Sequence, residues 1–340
     1  MHDYRHLIRM TDGDGMLQFS CLGVPDIGSG YTLDDNARAL MVTANSEDMQ
    51  GLAAVYAAYL FSAQDKNGGW CNLMVNGTYC SSFDSEDSIG RALLACAVGS
   101  ASRFEGIREL CNDMLRRNLS RVLNFRSPRA IAYSLLALCR YDPASWPPYY
   151  RTLAQHLGGN LMELYHIKHS KDWLWFEDYL TYCNGILPQA LLAYAAVSGN
   201  KQALDVGRDS LQFLIDILFR TGYLNIIGNN GWFQRGGEIS LFDQQPVDAA
   251  SVISCLLEAY ELLNNREYLD LAFTAYEWYY GRNHHGLSLY DPETGGCYDA
   301  LIDRGVNLNQ GAEAVLSLLL SDKMMEEYQT EEEIGQISEA

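Results

Sequence analysis

Strongly apolar stretches alternate with amphipathic, charged ones along most of the chain. Residues 92–97 and 191–196 are apolar on nearly every side, which is typical of helices that are buried all round. Residues 105–117 and 201–216 carry charges beside apolar residues at helical spacing, which is typical of helices with one face in solvent. The pattern predicts about twelve helices, over 34–46, 49–63, 86–100, 104–118, 128–141, 146–165, 178–198, 201–220, 246–263, 266–281, 308–320 and 322–330.

The connections between these helices also alternate. Short links follow the apolar helices, as at 46–48, 142–145 and 198–200. Most links back to an apolar helix are long, over 64–85, 166–177, 221–245 and 282–307, and long loops in compact domains are usually functional. The pattern predicts an all-α fold, an (α/α)6 toroid of six helical hairpins, whose inner helices start on the rim that carries the long loops. We expect one domain over 1–340, with an irregular N-terminal arm over 1–33 and an acidic tail over 331–340.

The start of the first inner helix has a distinctive polar sequence. Thr32 is a good N-cap residue, and Asp34, Asp35 and Asn36 fill the first turn before an apolar run. Arg38 lies one helical turn below Asp34. We therefore expect Arg38 to pair with Asp34 and leave Asp35 facing elsewhere. An ordinary cap with a first-turn salt bridge is the alternative interpretation.

Acidic residues recur where the other inner helices begin. Arg91 is placed to pair with Asp87 within the second helix. Asp248 and Glu313 fall among small apolar residues, where only a partner or a cavity tolerates a charge. A buried salt bridge is the competing explanation for Glu313. The candidate catalytic residues are Asp35, Glu86, Glu177, Asp178, Asp248 and Glu313.

Aromatic and amide side chains are interleaved with these acids. Aromatic rings stack on the C–H faces of a pyranose, while carboxylates and amides bind its hydroxyls. Two carboxyl groups flanking a glycosidic bond supply the acid and the base or nucleophile for hydrolysis, and one of them must hold a proton near neutral pH. The predicted substrate-binding residues are Tyr31, Asp34, Asn36, Trp70, Asp87, Arg129, Trp173, Trp175, Tyr182, Asn184, Trp232, Gln244, Gln245, Asn309 and Gln310.

Charge and cysteine content exclude several classes of partner. A net charge of −19 opposes binding to nucleic acid or an anionic membrane. No apolar run approaches the roughly 20 residues that span a bilayer, and no signal-peptide core follows Met1. The nine cysteines are an odd number and several lie in apolar helices, which favours a reducing, cytoplasmic location. Since no cysteine or histidine spacing fits a metal site, we expect no metal and no cofactor.

Seven segments together resemble a known protein family. They are 6–12, 25–26, 30–40, 85–91, 176–177, 243–246 and 307–313. The chain is similar to bacterial (α/α)6 proteins related to the six-hairpin glycosidases, which are often encoded beside, or fused to, glycosyltransferases and mannoside-processing enzymes. The resemblance implies a toroid fold, carbohydrate chemistry on an oligosaccharide or glycan, and a glycosyltransferase or mannoside-processing enzyme as partner. It assigns no residue a catalytic role.

Three alternatives to a glycoside hydrolase follow from the sequence. The motif at 64–70 matches the Gln-x3-Gly-x-Trp repeat of terpenoid cyclases, but it occurs once and without their acidic motifs. A sugar epimerase or isomerase of the acylglucosamine type shares the fold. Its chemistry looks like that of two histidines, one acting as the acid and the other as the base. No inner-helix start here carries a histidine. A non-catalytic glycan-binding partner of a glycosyltransferase would keep the aromatic rim without a proton-holding carboxyl group.

Overall fold

The computed structural model describes residues 2–141 and 146–338, with side chains as far as Tyr328. Six helices form an inner ring: α2 (Leu33–Thr43), α4 (Glu86–Gly99), α6 (Pro128–Arg140), α8 (Ile186–Ser198), α10 (Pro246–Leu263) and α12 (Ala312–Ser338). Each packs against the next in this order, and α12 packs against α2, which closes the ring. The predicted all-α toroid is confirmed.

An outer layer of helices surrounds this ring. It consists of α1 (Arg5–Arg9), α3 (Gln50–Ala63), α5 (Glu105–Asn118), α7 (Pro148–Lys168), α9 (Lys201–Leu218) and α11 (Arg266–Tyr276). Helices α3, α5, α7, α9 and α11 each pack on the inner helix that precedes them, and the short α1 contacts α12. The N-terminal arm over 1–33, which the sequence predicts to be irregular, therefore contains α1, the outer helix that packs beside α12.

Two differences from the predicted helices exceed five residues. The segments 308–320 and 322–330 belong to one helix, α12, because the buried Ser321 donates to the carbonyl of Ser317 and the turn continues without a break. The helix predicted over 178–198 begins only at Ile186, since Tyr179 and Leu180 pair as a strand instead. The predicted link at 142–145 lies outside the described residues. So does the end of the predicted tail at 339–340, whereas 331–338 continue α12.

The helix starts follow the expected capping chemistry. The hydroxyl of Thr32 accepts the backbone N–H of Asp35 at the start of α2. Ser127 accepts the N–H of Ala130 at the start of α6, where Pro128 occupies the first position. Ser85 and Ser88 form a reciprocal capping box on α4. These caps satisfy N–H groups that have no partner inside the helix, and they anchor the helix starts on the rim.

Short antiparallel strands connect the rim loops. They are β1 (Ser20–Cys21) with β2 (Val24–Pro25), β3 (Tyr31–Thr32) with β4 (Leu73–Val75) and β5 (Thr78–Cys80), β6 (Tyr179–Leu180) with β7 (Phe233–Gln234), β8 (Tyr290–Asp291) with β9 (Gly296–Cys297), and β10 (Ala300–Ile302) with β11 (Gly305–Asn307). Strand β3 runs directly into α2. The loop after α3 is therefore fixed to the start of the first inner helix.

The core fills the space between the two layers of helices. Its largest fully buried side chains include Trp175, Trp278, Tyr56 and Tyr279. All nine cysteines are free, and six of them are buried. In the described part of the chain, no helix combines the length and the apolar character that crossing a membrane requires.

We expect Gly185→Ala to destabilise the ring. A Cβ at Gly185 would lie 2.3 Å from the carbonyl oxygen of Ser251, so α8 could no longer approach α10 as closely. Overpacking of this kind costs about 1–3 kcal/mol, which urea unfolding followed by circular dichroism would measure. Gly106→Ala on α5 is the matched control, because a Cβ there meets no atom within 4 Å. Equal stability of the two variants would contradict the close approach.

Candidate active site

A cleft of about 560 Å³ lies at the amino ends of the inner helices. Side chains from α4, α10 and α12 form part of its wall, and the loops that lead into α6, α8 and α10 supply the rest. Its lining residues are Ser85, Glu86, Asp87, Arg91, Ser127, Tyr182, Asn229, Trp232, Gln245, Val247 and Glu313. Six residues of the predicted site therefore border one cavity: Glu86, Asp87, Tyr182, Trp232, Gln245 and Glu313.

Arg38 connects two inner helices beside this cleft. Its guanidinium donates to Asp35 at 3.2 Å and to Glu313 at 2.7 Å. The Arg38 side chain is 7% exposed, whereas that of Glu313 is 43% exposed. The predicted pairing of Arg38 with Asp34 is wrong, because the arginine pairs with Asp35 on its own helix and with Glu313 on the adjacent inner helix α12. One carboxylate oxygen of Glu313 is thereby fixed while the side chain still borders the cleft.

Arg91 makes a corresponding link between α4 and α2. It donates to Asp34 at 3.0 Å, and its guanidinium lies 4.9 Å from the ring centroid of Tyr133. The predicted pairing of Arg91 with Asp87 is therefore wrong as well. Asp87 instead accepts hydrogen bonds from the hydroxyls of Ser127 and Tyr182. These contacts leave Asp87 without an ion-pair partner among the described residues.

Glu86 joins α4 to the start of α6. One of its carboxylate oxygens accepts the backbone N–H groups of Arg126 and Ser127, each at 2.7 Å. Glu86 therefore satisfies two donors before α6 begins and also borders the cleft. A structural role accounts for one of its oxygens.

Glu177 lies in a buried ion pair below the rim. Arg129 donates to Glu177 at 2.8 Å, to the backbone oxygen of Tyr182 at 2.6 Å and to Thr181 at 2.6 Å. Asn184 accepts a further bond from the same guanidinium. The arrangement fixes the loop before α8 against α6. Glu177, Arg129 and Asn184 thus support the Tyr182 wall, and none of the three lines the cleft itself.

Two buried carboxyl groups hold protons near neutral pH. Burial raises the pKa of Asp248 to about 7, and the nearby Glu313 raises it further while the backbone N–H of Cys183 acts against the shift. Burial likewise raises the pKa of Asp35 to about 7, against the opposing effect of Arg38. The negative charge of Glu313 contributes to both shifts. Perturbed pKa values of this kind are concentrated at functional sites.

Several predicted site residues lie in the core or on other surfaces. Trp70, Trp173 and Trp175 are buried, and the indole N–H groups of Trp70 and Trp173 donate to the backbone oxygens of Leu60 and Glu177. Asp178 is exposed outside the cleft, where it pairs with Lys168 and Arg235. The structure therefore does not bring these four residues to the cleft.

The remaining predicted residues make internal bonds near the rim. Tyr31 donates to Asp12, and Gln244 accepts from the indole N–H of Trp278. The side chains of Asn36, Asn309 and Gln310 accept hydrogen bonds from loop residues. Asn36, Gln244 and Gln310 are almost fully buried. Their amides satisfy loop groups that would otherwise lack partners. They organise the rim, and the cleft wall does not include them.

Trp232 and Tyr182 are the aromatic side chains of the cleft. Their ring centroids lie 6.2 Å apart, and the guanidinium of Arg129 lies 4.7 Å from the Tyr182 ring. Trp232 adopts a φ of 60°, which non-glycine residues rarely adopt. Backbone strain of this kind is concentrated at functional sites. The partly exposed indole is thus held at the cleft by an unusual backbone conformation.

Five residues that line the cleft are not among the site residues that the sequence predicts. They are Ser85, Arg91, Ser127, Asn229 and Val247. The two serines are N-caps, so their position at inner-helix starts is a signal that could have found them. Asn229 follows Gly228 in a long irregular loop, where no periodicity indicates its direction. Among the described residues, no group of three or more potential ligands could hold a metal ion.

Solved structures of carbohydrate-active proteins share this fold. A cellobiose 2-epimerase from Spirochaeta thermophila superposes with a TM-score of 0.71 at 15% identity, over 95% of this chain and 93% of that one. A D-mannose isomerase gives 0.70 at 14% identity, over 95% and 96%. A GH76 α-mannanase from Bacteroides thetaiotaomicron gives 0.62 at 13% identity, over 90% and 88%. At these identities the similarity shows the six-hairpin glycosidase fold. No protein-family model and no curated protein sequence matches the chain.

We expect Arg129→Met to destabilise the protein by about 3–5 kcal/mol, because it leaves the buried carboxylate of Glu177 without its partner. Urea unfolding at neutral pH measures the loss. Lys168→Met is the control, since it breaks an exposed pair with Asp178 and such pairs contribute about 0–1 kcal/mol. A loss below about 1 kcal/mol for Arg129→Met would show that the buried pair does not hold the loop.

The raised pKa of Asp248, about 7, predicts a pH dependence of stability. An unfolded aspartate titrates near pH 3.9, so the folded state binds more protons than the unfolded state between about pH 4 and pH 7. Stability from this group therefore falls as pH rises through that window. We expect Asp248→Asn to lose less stability than the wild type between about pH 5 and pH 8 in urea unfolding. Asp178→Asn is the exposed control, and identical pH profiles of Asp248→Asn and wild type would contradict the assignment.

Proposed function

We propose that the protein is a glycoside hydrolase that cleaves an oligosaccharide in the rim cleft. The observation that carries the proposal is the convergence of Glu86, Asp87 and Glu313 on one cavity that Trp232 and Tyr182 also line. Its volume of about 560 Å³ falls in the range of small-molecule sites, about 300–1,000 Å³. Carboxylates beside aromatic rings suit the hydroxyls and the C–H faces of a sugar.

Asp248 and Glu313 are the proposed catalytic pair, on the neighbouring helices α10 and α12. Asp248 is buried and is not among the lining residues of the cleft, so in the proposal its side chain reaches the leaving glycosidic oxygen only when substrate is bound. With a pKa raised to about 7, it then donates its proton to that oxygen. Glu313, held by Arg38, either takes a proton from the attacking water or attacks the anomeric carbon. In the second case water releases the sugar from Glu313, and Asp248 takes that water's proton. The stereochemistry of the product distinguishes the two routes.

Asp35 positions Arg38 behind Glu313 in the proposal. It lies on the other side of Arg38 from Glu313, and Thr32 donates to its second oxygen at 2.6 Å. Glu86 and Asp87 are proposed to bind sugar hydroxyls, since backbone or hydroxyl donors already hold them. Asp34 pairs with Arg91 and is proposed to hold this arginine in place at the floor of the cleft.

A sugar epimerase or isomerase is the second candidate. The structural neighbours include a cellobiose 2-epimerase and a D-mannose isomerase with TM-scores of 0.71 and 0.70, which exceed the 0.62 of the α-mannanase. The cleft composition favours hydrolysis instead, because none of the described lining residues is a histidine. The partner from the resemblance, a glycosyltransferase or a mannoside-processing enzyme, and the cytoplasmic location remain predictions.

A screen of mannose- and glucose-based oligosaccharides tests the proposal. We expect new reducing ends with wild-type protein and a loss of about 10²–10⁴-fold for Asp248→Asn and Glu313→Gln. Both variants should still bind the substrate, as measured by calorimetry, because each amide keeps the size of its acid. Trp232→Ala should instead weaken binding, and Asp178→Asn should behave as wild type.

Three outcomes of this screen would overturn the proposal. Conversion of mannose or cellobiose into an isomer without new reducing ends would establish the second candidate. Binding without turnover of any oligosaccharide would indicate a glycan-binding partner of another enzyme. Full activity in Asp248→Asn would exclude the proposed acid.

A further inference from the structure

A second cavity of about 370 Å³ runs along the barrel axis, on the other side of the cleft floor. The inner helices contribute wall residues at helical spacing, such as Arg91, Leu94 and Val98 on α4, because positions three or four apart share one helix face. Arg91 and Val247 line both this axial cavity and the cleft. They therefore form part of the layer that separates the two.

The middle of the axial cavity is apolar and its far end is charged. Met41, Leu136, Ile186, Ala250, Leu257 and Leu320 line the apolar part. At the far end, Arg140 donates to Glu258 and the Lys323 ammonium donates to the backbone oxygen of Val42. The Arg140 side chain is 42% exposed, so this end of the cavity reaches solvent. A molecule could thus enter from the face opposite the cleft.

Arg91, which borders both the axial cavity and the cleft, carries an unsatisfied donor. One terminal nitrogen of its guanidinium donates to Asp34, but its Nε is buried and has no hydrogen-bond partner. Buried donors without acceptors are rare and unfavourable in folded proteins. An oxygen supplied by a ligand in the axial cavity would satisfy this N–H.

We propose that the axial cavity is a second binding site, for an uncharged molecule with an apolar body and one acceptor oxygen, such as a medium-chain alcohol. The apolar body packs between the inner helices, and the oxygen accepts from Nε of Arg91. A carboxylate fits less well there, because Asp34, Asp35 and Glu313 already surround the two arginines of the floor. Binding at this site requires no reaction in the cleft, although Arg91 and Val247 border both cavities.

Methyl NMR of the full chain tests this site with 1-octanol, octanoate and cyclohexane as probes. We expect intermolecular contacts from octanol to the methyl groups of Leu136 and Leu320, and at least tenfold weaker binding of octanoate. Arg91→Lys keeps a positive charge beside Asp34 but lacks Nε, so it should weaken octanol about tenfold and leave cyclohexane unchanged, as expected for the loss of one buried hydrogen bond.

Filling the cavity provides a second, independent variant. Ala250→Leu should abolish binding of both octanol and cyclohexane. Ala250 lines the axial cavity, so the larger leucine side chain would fill part of the space that the probes need. Ala54→Leu, exposed on the outer helix α3, is the matched control and should bind as wild type. The proposal is overturned if wild-type protein shows no contacts to these methyl groups, if octanoate binds as tightly as octanol, or if folded Ala250→Leu binds normally.

Discussion

Buried polar links between neighbouring inner helices are the constraint on which the rim depends. Glu313 connects α12 to α2 through Arg38, Asp34 connects α2 to α4 through Arg91, and Glu86 and Asp87 connect α4 to the start of α6. Arg129 then holds the loop before α8, and the backbone of that loop donates to Asp248 on α10. Charges buried at the axis of a barrel require such partners. Five successive contacts around the ring are therefore polar as well as apolar.

The same links give the cleft its chemical character. The polar side chains of these five links lie at or just before the starts of the inner helices, so structural and candidate catalytic groups occupy one layer. Asp35 and Asp248 are buried enough for their pKa values to rise to about 7, while the side chain of Glu313, which shares Arg38 with Asp35, is 43% exposed. Helix packing thus gives the carboxyl groups near the rim different environments, because it buries Asp35 and Asp248 and leaves Glu313 partly exposed.

The tryptophans show where interpretation from sequence alone was misleading. Because acids follow Trp173 and Trp175, the sequence predicts that these two rings bind a sugar. Both rings are instead buried, and Trp173 packs edge-on against Phe213 and Phe233. Tryptophan has a large apolar surface and one donor, which a backbone oxygen can satisfy, so it suits a core as well as a binding site. Only Trp232, which a strained loop holds at the rim, borders the cleft.

The sequence by itself determined most of the elements: the six inner helices, five of the six outer helices, the Thr32 and Ser127 caps, and the position of acids at the rim. Those features depend on contacts within about one helical turn, which composition and periodicity express directly. Tertiary structure alone decided the partners. Arg38 bonds Glu313 across 275 positions of sequence in addition to Asp35 on its own helix, while Asp34 pairs with Arg91 of α4. Converging helix starts bring groups of the adjacent helices within reach of these side chains, and the spacing within one helix does not reveal that.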